Sequence, residues 1–147
     1  MGSHLQHVQD EIRGLLRGKG LRATASRLAV LVALHERKAP MTHDQIMSTL
    51  PPNQHDKASV WRLLSELSEK GVLRRMDLGD RVWRYELLDA CRDIAQNHSH
   101  FLCNDCGDVT CLPPLSVNDT SGALPDVLQK ANFQIRIEGT CGDCVAR

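Results

Sequence analysis

The sequence has few aromatic residues and no long apolar run. Two Trp, two Phe and one Tyr occur among 147 residues, so the core must be mainly aliphatic. No stretch approaches the roughly 18 apolar residues of a membrane span. No apolar run of about 7–15 residues follows a basic start, so we predict no secretory signal and a cytoplasmic location. Residues 1–4, Met-Gly-Ser-His, resemble a vector-derived remnant and are given no role.

Patterns typical of several enzyme classes are missing as well. The sequence contains no His-x-Glu, His-Glu-x-x-His, P-loop or Gly-x-Ser-x-Gly pattern. A zinc deaminase needs the first of these and an open coordination position on its metal. Metalloproteases, P-loop nucleotidases and serine hydrolases need the others. We therefore predict that the protein is not an enzyme, with a zinc-dependent hydrolase or deaminase as the disfavoured alternative.

Charge is divided unevenly along the chain, although the formal net charge is zero. Residues 1–88 hold 14 Lys or Arg against 10 Asp or Glu, whereas residues 89–147 hold 4 against 8. The basic first part is a candidate for binding nucleic acid, and the acidic second part carries the cysteines. We expect the two parts to have separate roles.

Four cysteines form two matched pairs, Cys103–Cys106 and Cys141–Cys144, with two residues inside each pair and 34 between the pairs. This spacing lets two tight turns close a tetrahedral zinc site, and a closed site of four cysteines is structural. Two disulfides or a redox motif are the alternatives. Disulfides need an oxidising compartment, and two matched pairs favour metal over a redox motif. We therefore predict a structural zinc site.

The first part reads as helices followed by a β-hairpin. Apolar spacing and capping residues predict four helices, which begin near Leu5, Thr24, Thr42 and Asp56. The last helix ends before Gly71, where the chain can turn. Two short strands follow, Leu73–Asp77 and Val82–Leu87. Three helices and a hairpin predict a winged helix-turn-helix, whose recognition helix starts near Lys57.

The predicted recognition helix carries Trp61 and Arg62 on the side that faces away from its apolar stripe. Arginine can donate to guanine or phosphate, and an aromatic edge can pack on a thymine methyl. The alternative is that Trp61 packs on a neighbouring helix or loop. Four hairpin arginines would lie near phosphate, unless they only form a solvated face: Arg74, Arg75, Arg81 and Arg84.

The second part lacks clear periodicity at first, and we predict a hinge there. Strands are predicted around the first cysteine pair, over residues 99–103 and 109–112. A short helix near residues 124–131 and a strand over residues 133–137 would then lead into the second pair.

These features, in this order, resemble the Fur family of metal-responsive bacterial repressors from about Gly20 to Arg147. The motifs that carry the resemblance are Leu21–Arg27, Ala58–Leu64, Gly71–Leu73, Arg84–Leu87 and His98–Gly107. The last is similar to the family's His-x-His-x-x-Cys-x-x-Cys-Gly signature. The resemblance implies an α+β protein with a winged-helix DNA-binding domain over 1–88, a hinge over 89–97 and a small α/β dimerisation and metal-binding domain over 98–147.

The resemblance also implies partners, metals and site residues. It implies a homodimer that binds palindromic double-stranded operator DNA, with one structural zinc and one sensory metal at the hinge per chain. We predict that the regulatory metal is also zinc, for the reason given below. The structural ligands would be Cys103, Cys106, Cys141 and Cys144. The DNA-binding residues would be Arg22, Lys57, Ser59, Trp61 and Arg62.

The sensory ligands of the family match Glu86, His98 and His100 of this chain. Cys111 stands where a glutamate ligand is usual, and Cys91 lies roughly where zinc-sensing members place a cysteine. A third metal site is not expected, because its His and Asp are replaced here.

The iron- and peroxide-sensing branches place a histidine where this chain has Pro40. His43 could substitute for it, although a surface role in the first helical turn is favoured.

The spare cysteines decide which metal is expected. Thiolate with imidazole favours zinc over Fe²⁺ or Mn²⁺, unless each spare cysteine is an inert buried thiol. We predict a zinc-responsive repressor of zinc-uptake genes, most like the zinc uptake regulator (Zur) branch of the family. The alternative within the family is an iron-responsive or peroxide-sensing repressor. A structural zinc-ribbon adaptor would leave the winged-helix pattern unexplained.

Overall fold

A computed structural model describes residues 2–88, 99–113, 115, 116, 118, 120, 122 and 136–147. The chain divides into two compact units, Met1–Asp93 and Ile94–Arg147. The predicted hinge and the helix predicted near residues 124–131 lie outside the described residues. Within the described ranges, no helix is long and apolar enough to cross a membrane.

The first unit combines helices with a small antiparallel sheet. Its elements are α1 (Gly2–Gly18), α2 (Ala25–Arg37), β1 (Met41–Thr42), α3 (His43–Thr49), α4 (Lys57–Glu69), β2 (Leu73–Asp77) and β3 (Trp83–Leu87). The strand order is β1-β3-β2, so β3 is the central strand. The hairpin register pairs Leu73 with Leu87 at one end and Asp77 with Trp83 at the other.

Side-chain caps begin α2, α3 and α4 at the predicted residues. The side-chain oxygen of Thr24, Thr42 or Asp56 accepts a hydrogen bond from the backbone N–H three residues later, at 3.4, 3.1 and 2.9 Å respectively. At α3, Oε1 of Gln45 also accepts from the backbone N–H of Thr42 at 2.8 Å, which completes the capping box. Each cap satisfies an N–H that has no partner inside its own helix.

Gly71 ends α4 in the left-handed conformation, with φ of 67°. Its N–H donates to the carbonyl of Ser68, and the N–H of Val72 donates to the carbonyl of Leu67 at 2.9 Å. This Schellman pattern requires a positive φ, which glycine adopts without a steric cost. Helix α4 therefore turns directly into β2.

The core of the first unit is mainly aliphatic, as composition predicts. Tyr85 is its one aromatic member among the described residues. The buried members are Val8, Ile12, Leu16, Val30, Leu31, Leu34, Met41, Ile46, Leu50, Val60, Leu64, Leu67, Val72, Leu73, Tyr85 and Leu87. Leu5 shares the apolar spacing of α1 but is 46% exposed. Residues 2–4, set aside as a remnant, are helical and belong to the first turn of α1.

The second unit contains a small mixed sheet and one short helix among its described residues. The elements are β4 (His100–Cys103), β5 (Val109–Cys111), β6 (Ile137–Gly139) and α5 (Gly142–Val145). Strand β4 pairs antiparallel with β5 and parallel with β6. The strands around the first cysteine pair match the prediction within a residue, and the mixed α+β class is confirmed.

Candidate metal centre and nucleic-acid interface

The first cysteine pair lies on the turn between β4 and β5. The backbone N–H of Cys103 donates to the carbonyl of Asp108 at 2.9 Å, and the N–H of Gly107 donates to the carbonyl of Cys103 at 3.0 Å. Gly107 has a φ of 73°, which lets the chain turn back directly after Cys106. The turn therefore presents both thiols of the pair to one point.

The second pair lies at the start of α5, where Cys141 is the N-cap residue. The N–H of Cys144 donates to the carbonyl of Cys141 at 3.0 Å, which closes the second turn. The two turns are joined directly. The N–H of Asn104 donates to the carbonyl of Gly139 at 2.8 Å, and the N–H of Cys141 donates to Sγ of Cys103 at 3.3 Å.

The four sulfur atoms have the spacing of a tetrahedral zinc site. The Sγ atoms of Cys103 and Cys144 are 3.9 Å apart, as are those of Cys106 and Cys141. All four sulfurs lie within 4.8 Å of one another. A zinc–sulfur distance of about 2.3 Å gives tetrahedral edges of about 3.8 Å. The sulfurs are too far apart for disulfides, whose S–S bond is about 2.05 Å, and the cysteines are free.

The groups around the four thiols change their acidities in opposite directions. Hydrogen bonds from the backbone N–H groups of Cys106 and Cys141 lower the pKa of Cys103 to about 6. The hydrogen bond with the Cys141 thiol raises the pKa of Cys144 to about 12. One thiolate therefore forms easily, whereas four adjacent thiolates need a cation. A divalent ion that binds thiolates, such as Zn²⁺, fits this set of donors.

A second pair of metal-binding side chains faces across β4 and β5. His100 and Cys111 are directly opposite partners in the antiparallel register. A ring nitrogen of His100 and the sulfur of Cys111 lie within 4.8 Å of each other, and both residues are half-buried. The nitrogen and the sulfur of such a pair can both bind one soft cation.

The structure describes one of the other three predicted sensory ligands. His98 and Cys91 lie outside the described residues. Glu86 lies on β3 of the first unit, where its Oε2 accepts from Nη2 of Arg74 at 2.6 Å.

Three of the predicted DNA-binding residues are exposed on one side of α4. They are Ser59, Trp61 and Arg62. Nη2 of Arg62 donates to Oγ of Ser59 at 3.2 Å, and Trp61 is 44% exposed. The apolar side of the same helix is buried in the core, as its spacing predicts.

The remaining two predicted DNA-binding residues are exposed and held by neighbours. Lys57 begins α4, and its Nζ lies 3.1 Å from Oδ1 of Asp44. Arg22 precedes α2, and its carbonyl accepts from Nη1 of Arg27 at 2.7 Å. Nη2 of Arg27 also donates to both carboxylate oxygens of Glu66 on α4, at 2.9 Å for each contact. This brace between α2 and α4 was not predicted, because 39 residues separate its partners.

Trp61 is both exposed and in contact with a neighbouring element, so the two readings of this residue are compatible. The ring of His43 meets it edge to face, with centroids 5.7 Å apart and planes at 62°. Nε2 of His43 lies 3.0 Å from the carbonyl oxygen of Lys57. The ring and the Nε2 atom of His43 therefore both contact α4.

Two of the four hairpin arginines are held by carboxylates of the protein, which corrects the prediction that all four lie near phosphate or form a solvated face. Arg84 is 1% exposed and donates to both carboxylate oxygens of Asp80, at 2.9 and 2.8 Å. Arg74 pairs with Glu86, as described above. Arg84 is enclosed because β1 makes β3 the central strand, with Thr42 opposite Arg84. Arg75 and Arg81 are exposed, and Arg75 stacks on Trp83 at 4.2 Å from the ring centroid.

The sequence matches known regulators of one family. A sequence model of the ferric uptake regulator family matches residues 18–136. The ferric uptake regulation protein 1 of Mycolicibacterium fortuitum is 34% identical over 122 residues, covering 76% of this chain and 71% of the relative. The peroxide-responsive repressor PerR of Staphylococcus aureus (strain Mu50 / ATCC 700699) is 23% identical over 144 residues, covering 95% and 93%.

Solved structures show the same fold. The Helicobacter pylori ferric uptake regulator Fur superposes with a TM-score of 0.62 at 18% identity, covering 96% of this chain and 93% of that one. A zinc-bound manganese uptake regulator superposes with a TM-score of 0.65 at 15% identity, covering 91% and 98%.

The family model matches most of the chain, and the alignment with the Mycolicibacterium fortuitum protein covers more than two thirds of that protein's length. Members of this family are dimeric DNA-binding regulators of transcription. The chain therefore belongs to the ferric uptake regulator family and is a metal-responsive transcriptional regulator, not an enzyme.

Proposed function

We propose that the protein is a zinc-responsive repressor of zinc-uptake genes. In this proposal a homodimer binds palindromic operator DNA when zinc occupies a sensory site at the hinge. Residues 1–88 form the winged-helix DNA-binding domain, 89–97 the hinge, and 98–147 the dimerisation and metal-binding domain. The structural zinc binds Cys103, Cys106, Cys141 and Cys144, whose sulfur spacing supports this role.

The single observation that carries zinc sensing is the pairing of His100 with Cys111 on adjacent strands. A thiolate and an imidazole form a soft donor set that suits tetrahedral zinc. A carboxylate in place of Cys111 would instead suit iron or manganese, which favour harder oxygen donors and higher coordination numbers. The identity of one side chain therefore biases the metal.

The other sensory ligands in this proposal are Glu86, Cys91 and His98, which rest on their positions in the family motifs. To bind a metal, the carboxylate of Glu86 must share or leave its ion pair with Arg74. Two ligands on one strand pair and further ligands elsewhere along the chain would order the hinge only while metal is bound. Zinc affinity and DNA affinity would then be coupled, because each ligand favours the same ordered form.

The DNA-binding role of α4 is supported by its exposed Ser59, Trp61 and Arg62. Base edges in the major groove suit Arg62 and Trp61, whereas Arg22 and Lys57 suit phosphates. The exposed hairpin cations Arg75 and Arg81 could add phosphate contacts. Their number predicts a salt-dependent affinity, since each phosphate contact releases a counterion.

An iron- or peroxide-responsive repressor is the second candidate. The names of the relatives favour it, since they include a ferric uptake regulation protein and a peroxide-responsive repressor. Against it, Pro40 stands where those branches place a histidine. His43 makes a poor replacement, because its Nε2 already lies at the Lys57 carbonyl.

Substitutions of Cys111 test the metal preference directly. We expect Cys111→Ser to raise the free zinc needed for half-maximal operator binding by at least about 10- to 100-fold, the loss that follows when only an outer-shell partner of a ligand is removed. We expect Cys111→Glu to favour Fe²⁺ or Mn²⁺ over zinc, because it restores an oxygen donor. Fluorescence anisotropy of labelled operator DNA, measured against buffered free metal, gives both values.

Thr110→Ala is the matched control, since Thr110 is the exposed neighbour of Cys111 on β5. The control should keep the zinc response of the unsubstituted protein. Unchanged zinc dependence in both Cys111 variants would remove Cys111 from the sensory site and leave the iron-responsive candidate stronger.

A further inference from the structure

We propose that His43 is a positioning residue for sequence recognition, which holds the Trp61 indole and the first turn of α4 in the orientation that reads DNA bases. The inference rests on the proposed function, in which α4 contacts the operator. The sequence offers His43 only as a metal ligand or a surface residue. Its contacts in the structure point to a different role.

The first contact is between the two rings. His43 opens α3, its side chain is 15% exposed, and its ring lies 5.7 Å from that of Trp61 at an angle of 62°. This is an edge-to-face geometry, which aromatic rings prefer because the positive edge of one meets the negative face of the other. The contact restricts a large side chain that is otherwise 44% exposed.

The second contact is with the backbone of the same helical turn. Nε2 of His43 lies 3.0 Å from the carbonyl oxygen of Lys57. In an α-helix this carbonyl accepts from the N–H four residues later, which is that of Trp61. His43 therefore touches the ring of Trp61 and also the carbonyl that holds its backbone.

The first turn of α3 is itself well fixed. The capping box of Thr42 and Gln45 sets the start of this helix. Next to His43, Asp44 holds the ammonium of Lys57 at 3.1 Å, and this hydrogen bond lowers the pKa of the Asp44 carboxyl. The start of α3 thus contacts both the backbone carbonyl and the side-chain ammonium of Lys57 on α4.

This arrangement serves recognition more than folding. The residues of α4 that hold the core, Val60, Leu64 and Leu67, are buried on another side of the helix. Trp61 contributes little to that core. Fixing its indole before DNA binds lowers the ordering cost of the complex, and it favours the base steps that fit the fixed orientation.

The test compares base preferences of variants. The zinc-loaded protein selects duplexes from a pool with a randomised central segment, and sequencing gives a preference at each position. We expect Trp61→Ala to lose preference at a few positions, and His43→Ala to weaken the same positions by about 3- to 10-fold, the range of an aromatic edge-to-face contact. In the Trp61→Ala background, His43→Ala should have no further effect there.

Two conservative variants separate the contacts. His43→Phe keeps an aromatic ring but cannot donate to Lys57, and His43→Gln keeps a donor but has no ring. We expect His43→Phe to retain more preference at the Trp61 positions than His43→Gln. In a Trp83→Phe background Trp61 is the single tryptophan, and acrylamide should quench it more strongly after His43→Ala. His7→Ala, an exposed change on α1, should alter none of these values.

The outcomes separate the two proposals. A His43→Ala protein that binds all duplexes equally weakly, with a lowered unfolding midpoint, would mean that His43 only stabilises the fold and would overturn the inference alone. Unchanged base preference with unchanged quenching would overturn it too. An unsubstituted protein that selects no sequence with zinc, iron or manganese would overturn the proposed function and this inference with it.

Discussion

At the scale of single residues, the guanidinium of Arg84 is a charged group that the first unit encloses. It is 1% exposed, and the Asp80 carboxylate, three residues before β3, binds it through two hydrogen bonds of 2.9 and 2.8 Å. An enclosed charge without its partner is costly, because neither water nor an opposite charge compensates it. Asp80 therefore stabilises the hairpin by keeping Arg84 paired.

We expect Asp80→Asn to destabilise the protein by about 1–3 kcal/mol at neutral pH, the cost of losing hydrogen bonds to a charged group. Hydrogen bonding to Arg84 lowers the pKa of Asp80 in the folded protein. A lowered pKa means that the carboxylate stabilises the fold above its unfolded pKa of about 3.9. That contribution is lost as the pH falls through the lower folded value.

The measurement is urea unfolding of both proteins from pH 7 to pH 3. The difference in unfolding free energy should be constant at pH 6–7 and shrink below about pH 4, where the carboxylate of the unfolded chain begins to protonate. Glu69→Gln, an exposed change at the end of α4, serves as the control. A difference that stays the same at pH 3 would show that the charge of Asp80 does not matter.

At the scale of elements, the cysteine turns hold the second unit together. They join the β4–β5 turn to the end of β6 and to the segment that follows it, through the contacts of Asn104 with Gly139 and of Cys103 with Cys141. The described core of this unit is small, with three buried residues: Leu102, Cys103 and Val109. Folding energy from a bound structural zinc, about 10–16 kcal/mol in small zinc modules, would outweigh what so few apolar contacts provide.

Removing the metal should therefore disorder the second unit first. We expect a strong chelator, or Cys141→Ser, to abolish amide protection in β4 and β6, while α4 keeps its protection. Hydrogen exchange followed by mass spectrometry gives both values in one experiment. Asp143→Ala changes an exposed residue between the second pair of cysteines and should leave protection intact. Equal loss of protection in both units would mean that zinc does not stabilise the second unit alone.

The elements also show what could be read from sequence. The caps at Thr24, Thr42 and Asp56 and the paired cysteines were predictable, because each depends on residues within a few positions. The two-residue strand β1 carried no pattern of its own. Its pairing with β3 encloses Arg84, which alternation along the hairpin could not indicate. The His43–Trp61 contact was equally hidden, since it depends on how α3 and α4 pack.

At the scale of the whole molecule, membership of the ferric uptake regulator family could be predicted, because its motifs are local and ordered along most of the chain. The metal that is sensed depends on fewer residues. His100 and Cys111 meet through strand register, which the sequence implied only by resemblance. The central claim is that this thiol and imidazole make the protein a zinc sensor.

The most direct test is operator binding by the unsubstituted protein against buffered free Zn²⁺, Fe²⁺ and Mn²⁺, with the metal content per chain measured in the same samples. The account predicts about two zinc ions per chain, one for the four-cysteine site and one for the sensory site, and DNA binding that responds to zinc alone. One tightly held zinc with DNA binding that depends on iron would contradict zinc sensing and leave the family assignment unchanged.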